Sequence, residues 1–529
     1  MIFRGADVIS AGLAPARRAR PIPAGERIHV VGAAGSAAAP AALIAHFVGA
    51  HVTGCDVTAH STYTPPLEDA GIPIAEGNDA THVVRDGHVF IDRLAVSKAV
   101  TAISPNHPEL VAAREHGVAV MSVQQLIADA AATRGSRLIG VAGTHGKSTT
   151  TGWVVHLLAA AGLDPTAFVG ALMSADLAGG PHPSTVRMGH GSYFVVEADE
   201  YAGNYDPYHP AIGVLLNADW DHPDVFASRA DVVASFATWI RAFDGAGEPP
   251  VLVANAADPG VLEVLALLRD WDGRLVLTAV TEDPAVDLDA WRSMLQAEHA
   301  TAREATSAIT ARWSAVASGG SLEIAGLSGA GTQTVSLRLA GAHNGANGLA
   351  AAGAALVAGA RVPAIADGLS TYTGVGRRLE LKGEAAGVVI LDDYGHHPTA
   401  MKVTFAAVAQ RYPGRRLWAV YEPLTYHRTA AMIEQFADIL EEADRVVIAD
   451  IFPVRDPDLT ITSALALADA VNRRGRTPAW APGSVEATAD WLAPRVESGD
   501  VVLVMGGGVS YVAAERLLAH LQAREAGEK

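Results

Sequence analysis

The chain has 529 residues, half of them hydrophobic and 18% charged, with 57 acidic against 39 basic side chains and a formal net charge of −18. That balance supplies a large core for three or four domains and excludes global disorder and a broad nucleic-acid footprint, so no nucleic-acid partner is expected. Cys55 stands alone, which excludes an internal disulfide and a thiolate zinc cluster. The opening MIFRGADVISAGLAPARRARP lacks the continuous apolar run of a signal peptide, and residues 30–52 are interrupted by Pro40 and His46. A soluble, cytoplasmic protein without membrane insertion is expected.

Residues 17–23 read as a flexible lead. Arg27–Val31 then reads as a strand running into Gly32-Ala33-Ala34-Gly35 and an Ala-rich helix, and His51–Asp56 as a second strand closing on an acidic residue. This is the opening of a nucleotide-binding βαβ unit, with Gly32 and Asp56 on its ligand side. Ala34 and Ala37 stand where the glycine fingerprint has Gly, so a structural turn reads equally well. Residues 99–103 read as a strand, Pro108–Glu115 as a helix, 118–121 as a strand and 130–136 as a linker.

The next stretch, LIGVAGTHGKSTTT at 138–151, is an apolar strand, a glycine-bearing turn and a helix start. Gly143 and Gly146 free the backbone to aim N–H groups at an anion. Thr144 and His145 complete the turn between them. The helix N-terminus adds partial positive charge, Lys147 a full one, and a hydroxyl of Ser148 or Thr149 offers a magnesium ligand. Val141 stands where a strict P-loop has its first Gly, so this is a shortened relative of that motif.

Further strands are predicted at 193–196, 211–216 and 251–254, ending at Glu197-Ala198-Asp199-Glu200, at Asn217 through His222, and at Asn255. Polar residues at the carboxyl ends of buried strands are where open α/β sheets bind ligands. Glu197, some fifty residues after Lys147, is a candidate magnesium-side carboxylate. Asp219, Asp221, His222 and Asp224 have the types for a metal site and read best as lining the same pocket. Residues 280–335 carry no usable motif. A helix begins at Gly341-Ala342-His343-Asn344-Gly345-Ala346-Asn347, and a third block opens near Gly374. Its predicted strands at 388–391, 417–421, 445–449 and 501–504 end in polar or glycine-rich tips, among them Asp392-Asp393-Tyr394-Gly395-His396-His397. A zinc pair at His396 and His397 is disfavoured, because adjacent side chains diverge. The fold expected is α/β in three domains, residues 1–134, 135–374 and 375–529: a Rossmann-like first, a P-loop-type ATPase in the centre and a Rossmann-like third.

In series, GTHGKSTT, EADE, NADWDH, HNGAN, GVGRRLE and DDYGHHPT resemble the Mur ligase family. GCD, NHPELVAAREHGV, DIFPVRD and GDVVLVMGGG extend the resemblance over nearly the whole chain. The resemblance implies an ATP- and Mg²⁺-dependent ligase with UDP-N-acetylmuramate on the first domain, ATP on the second and the incoming amino acid on the third. Its reaction forms an acyl phosphate that an amine then attacks, in cell-wall precursor synthesis. The implied catalytic residues are Lys147, His222, Arg378 and Asp393. ATP would lie on Gly143 to Thr149 with Asn344 and Asn347; Ser148, Glu197 and His222 would face magnesium. Arg377 is adjacent to Arg378 and spacing leaves the two interchangeable. In Tyr421 to Thr429 the family usually has His after the Pro, where this chain has Leu424, while Arg428 remains to pair with an amino-acid carboxylate. The branch that adds L-alanine is the expectation. The branch that reattaches a murein tripeptide, suggested by EADEY, and a nucleotide-binding relative that does not ligate stay open. The Gly turns at 32 and 506 would also suit a dinucleotide oxidoreductase, which the incomplete fingerprint disfavours.

Overall fold

The computed structural model describes residues 8–299, 306–316, 319–327, 331–453, 456 and 458–527. Parts of the 280–335 stretch, of the opening segment and of DIFPVRD (Val454 and Arg455) lie outside them.

Three main sheets divide the chain. The first runs in the order Ile74–Glu76, His51–Asp56, Arg27–Val31, Arg93–Val96, Ala119–Ser122, all parallel. Residues 99–103 are not a strand. Ser97 caps a helix over Lys98–Ile103, and the strand lies just before it, in the fully buried run Arg93–Val96. The β-branched Val100 and Ile103 suggested a strand, but the Ser97 hydroxyl accepts from the Ala99 N–H and starts a helical turn. The linker expected at 130–136 is the end of the helix Val123–Thr133, whose Ala-rich side is buried against the sheet. The lead is not flexible either. Arg17 reaches the fully buried Asp129 at 2.6 Å and Ile22 is buried, because a carboxylate at that depth needs the cations of Arg17 and Arg93.

The central sheet has ten strands. Its parallel part places Tyr193–Glu197, Arg137–Ala142, Ile212–Leu215 and Val251–Asn255 side by side. Residues 280–335 contribute its far edge: Thr306–Val316 pairs parallel with Arg274–Thr281, then Gly319–Ala325 and Thr332–Leu337 follow antiparallel. The helices Lys147–Ala160 and Ala342–Val357 pack together on one face of this sheet around buried Trp153.

The third sheet runs Glu380–Ala385, Val388–Asp393, Val501–Gly506, Leu417–Glu422, Arg445–Ala449, Ala479–Gly483, parallel after its first strand. No described helix is long and apolar enough to cross a membrane.

Candidate active site

Three neighbouring parallel strands of the central sheet deliver the site. Arg137–Ala142 ends in Gly143, the strand on one side ends at Glu197, and the strand on the other leads into Asn217. The turn between strand and helix is held from below: His145 N–H donates to Asn217 Oδ1 at 2.8 Å, and Asn217 Nδ2 donates back to His145 O at 3.0 Å. Gly146 has φ +83°, and a Cβ there would lie 2.7 Å from Asn347 Oδ1. Glycine is needed twice over, for its backbone angle and for the approach of the neighbouring helix.

Lys147 folds back over the turn, donating to Gly143 O at 2.8 Å and to Glu200 Oε2 at 2.8 Å, with Asp199 3.8 Å away. Burial opposes its charge, but Glu200 and Asp199 outweigh burial and raise its pKa, so the ammonium is retained. Ser148 donates to Glu197 Oε1 at 3.0 Å, and Glu197 is steadied by the Gly170 N–H at 2.7 Å. Arg378, from the third sheet's side, reaches Ser148 Oγ at 3.1 Å. Above the turn a cavity of about 370 Å³ is lined by His145, Gly146, Thr149, Asn217, Asn344, Asn347, Arg378 and Asp393 among others. Burial raises the pKa of the Asp393 carboxyl, which accepts from the Leu379 and Gly395 N–H groups at 2.7 Å each.

The expected residues thus fall into two connected groups and one separate one. Gly143 to Thr149, Glu197, Asn344, Asn347, Arg378 and Asp393 come together around the turn. His222 lies to one side, its Nε2 3.8 Å from Glu200 Oε1, and joins the turn through that carboxylate. Its φ of +54° is the left-handed conformation, a strained setting for a histidine of the kind that clusters at functional sites. Arg428 comes up from the third domain and is occupied by Asp221, at 2.6 Å, with His222 Nδ1 at 3.4 Å. Burial would raise the Asp221 carboxyl, but the Arg428 guanidinium holds it well below the usual range. Gly32 and Asp56 lie apart from the turn. Asp56 Oδ2 accepts from the Ala34 N–H at 3.0 Å and so braces the Gly32 turn of the first domain.

Arg377 and Arg378 are not interchangeable. Arg377 donates to the carbonyls of Gly508 and Gly506 and to Ser510 Oγ, and lies 3.3 Å from Asp392, all within the third domain. Leu424 pairs as a bridge with Phe452, and its Cδ2 lies 2.7 Å from where a Cβ on Gly507 would stand. His396 and His397 diverge: His396 Nδ1 turns to Tyr394 O, while His397 accepts from the Thr399 N–H and its ring lies 4.9 Å from that of His145.

Sequence reasoning passed over Glu200 as part of an acidic loop and did not single out Asn217, although both sit at predicted strand ends. The spacing EADE carried the signal: Glu197 faces Ser148 and Glu200 faces Lys147. As for magnesium, the hydroxyl of Ser148 and the carboxylates of Glu197 and Glu200 are hard oxygen donors, and Glu200 Oε1 is buried without a hydrogen-bond partner. That donor set fits the ion.

Three family models cover the chain in succession: the Mur ligase family, catalytic domain, over residues 27–134; the Mur ligase middle domain over 141–355; and the Mur ligase, glutamate ligase domain over 377–508. Curated relatives include the UDP-N-acetylmuramate–L-alanine ligases of Roseiflexus sp. (34% identical, 93% of this chain and 99% of the relative) and Frankia casuarinae (33%, 95% and 99%). Among solved structures, the UDP-N-acetylmuramate-alanine ligase of Thermotoga maritima superposes with a TM-score of 0.73 at 21% identity, covering 94% of this chain and 99% of that one. A murein peptide ligase of Psychrobacter arcticus superposes at 0.66 with 23% identity, covering 94% and 99%. The expected fold, α/β in three domains, matches these neighbours. With its strand-end turn, its paired asparagines and an arginine arriving from the third sheet, this chain belongs to the Mur ligase family.

Proposed function

We propose that the chain joins L-alanine to UDP-N-acetylmuramate at the expense of ATP, through an acyl phosphate. The reach of Arg378 from the third domain to Ser148 in the turn carries this reading. It sets a cation of the third domain against the place where a γ-phosphate would be transferred. The names of the curated relatives support the same substrates, and the use of ATP fits the cytoplasmic location expected from the sequence. In this reading residues 1–134 hold the UDP-sugar, with the turn at Gly32 and Asp56 at its ligand end; 135–374 hold ATP; and 375–529 hold the amino acid.

The chemistry asks for a better leaving group than hydroxide on a carboxylate, and a transferred phosphoryl group provides it. Lys147 and Arg378 then neutralise charge on the group in flight, where fixed cations in a dry site count most. Ser148, Glu197 and Glu200, with His222 beside Glu200, would hold Mg²⁺, which supplies Lewis-acid stabilisation of the phosphates when bound. Asn344 and Asn347 wall the cavity beside Gly146, and Asp393 anchors the Leu379 and Gly395 backbone that carries Arg378 over it. Docking of the third domain on the second excludes water, which would otherwise hydrolyse the acyl phosphate. Arg428 serves the amino-acid end by fixing Asp221 and His222, and Leu424 shapes the apolar side of that end.

The test is phosphate release from MgATP with UDP-N-acetylmuramate against a panel of amino acids and the murein tripeptide. Release with L-alanine, abolished in Lys147→Ala, is expected. Release that needs the tripeptide instead moves the chain to the recycling branch. Release independent of both substrates, or none with any amine, overturns the reading.

A further inference from the structure

The first domain contains a second constellation that the ligase reaction does not use. His29 and Cys55 stand on adjacent parallel strands, His82 on a short turn, and Glu109 in the first turn of the helix Pro108–Glu115. One ligand atom from each of these four residues lies within 4.8 Å of the other three. Cys55 Sγ is 3.2 Å from Glu109 Oε1, and His82 Nδ1 is 3.1 Å from the same oxygen. Around a tetrahedral zinc, ligand atoms stand roughly 3.3 to 3.5 Å apart, given Zn–N and Zn–O near 2.0 Å and Zn–S near 2.3 Å. Those two separations are close to that spacing, and the remaining ones lie within 4.8 Å.

Three further observations bear on a cation. His29 is 2% exposed, and its Nε2 is buried with no hydrogen-bond partner. Its other nitrogen, Nδ1, is engaged by Thr53 Oγ1 at 2.7 Å, which fixes the ring and leaves Nε2 for a ligand. The second oxygen of Glu109 faces His107 Nδ1 at 2.6 Å. Partners of this kind, here holding the far side of His29 and of Glu109, are what orient the ligands of a built metal site. Cys55 and Glu109 are both fully buried. Cys55 is held as a thiol donating to Glu109, whose Oε1 also accepts from the Asp79 N–H at 3.0 Å; a divalent cation would balance the thiolate that replaces it at that depth.

We propose that His29, Cys55, His82 and Glu109 form a structural zinc site in the first domain. Two imidazoles, one thiolate and one carboxylate suit a borderline-soft tetrahedral ion, and four protein ligands leave no open position for catalysis. On binding, the Cys55 S–H bond breaks, its proton passes to solvent, and a Zn–S bond replaces the hydrogen bond to Glu109. The site lies directly under the turn at Gly32, whose N–H donates to Cys55 O at 2.9 Å, as does that of Ala33. Zinc would therefore pin the loop that replaces the glycine string.

The test uses the full-length chain, and its readout is metal rather than turnover. About one zinc per chain, retained through dialysis, is expected by elemental analysis. After chelation, Co²⁺ should restore a thiolate-to-cobalt charge-transfer absorption that saturates at about one equivalent. Cys55→Ser should abolish that band while MgATP binding in the central domain is kept. Should Cys55→Ser fail to fold, His82→Gln on the more exposed turn reports instead, with Co²⁺ affinity lowered at least about tenfold. Absence of both zinc and the cobalt band, or a band that persists unchanged in either variant, overturns the proposal.

Discussion

Arg377 and Arg378 show how adjacent guanidiniums divide their work. Arg377 has φ +57° and satisfies two carbonyls and Ser510 inside the third domain, so its removal leaves buried acceptors unpaired. Arg378 contacts the turn. Arg377→Ala is expected to destabilise the protein by about 2 to 3 kcal/mol in thermal melts. Arg378→Ala should leave the melting temperature nearly unchanged and lower kcat by about a hundredfold or more. Equal melting curves for the two variants would refute this division. Spacing in GVGRRLE left the roles open because neighbouring residues on irregular backbone point wherever their φ angles send them, and that is not written in the residue types. Glu197 and Lys147, by contrast, were legible, each sitting at the end of a regular element. His145 adds a titration. Burial first, then His397, drive its pKa down to about 3. Between pH 3 and 6.5 the unfolded chain therefore binds a proton that the folded one refuses. Its contribution to stability is full above about pH 6.5 and is lost as pH falls towards 3, with a slope up to about 1 kcal/mol per pH unit after allowing for its partial exposure. In the ligand-free protein, His145→Gln should flatten the loss of urea stability between about pH 7 and about pH 5. A slope unchanged from the parent chain would count against the shift.

At the level of elements, the turn between Arg137–Ala142 and Lys147–Ala160 is the joint that sequence described well, since strand, glycines and helix start are all local signals. Gly146 tests it. Ala at that position must take a left-handed φ and push its Cβ onto Asn347, costing about 1 to 2 kcal/mol. The expected outcome of Gly146→Ala is a modest fall in stability together with an ATP affinity weakened about tenfold or more, measured by calorimetry. Unaltered ATP binding would show that the neighbouring helix does not need to lie so close. The elements that sequence misread share a cause. Residues 99–103 had β-branched side chains but a capping serine before them, and the cap won. The far edge of the central sheet, Thr306–Val316, Gly319–Ala325 and Thr332–Leu337, pairs each strand with the next in sequence, but these strands are rich in Ser, Thr, Gly and Ala and end in no polar motif, so nothing announced them. The four residues of the proposed zinc site are likewise scattered over some eighty positions, so no local motif joined Cys55 to them.

For the molecule as a whole, the decisive contact is the one between the second and third domains at Asp221 and Arg428. Both side chains are almost fully buried, 5% and 4% exposed, and they meet at 2.6 Å with His222 beside them. Two weaker links flank the pair: Thr399 to Asp219 at 3.0 Å and Arg378 to Ser148 at 3.1 Å. A buried ion pair adds little net stability over a well-packed apolar pair, because desolvation offsets most of the attraction. Breaking one partner is different, since it strands a charge. Asp221→Asn should therefore loosen the docking of the third domain at a cost of about 3 kcal/mol, with Arg428 left unpaired. Arg428→Met in the same chain should recover most of that loss, so the coupling between the two changes is large and favourable. Hydrogen exchange reads this locally: the helix Tyr426–Ala431 and the segment around His222 should exchange faster in Asp221→Asn and return towards the parent rate in the double variant. Catalysis should not recover with stability, because the Arg428 guanidinium beside His222 Nδ1 is then gone. Turnover restored together with docking would mean that Asp221 and Arg428 join domains and do nothing for the reacting groups. Strictly additive losses would mean that the two side chains do not act as a pair at all.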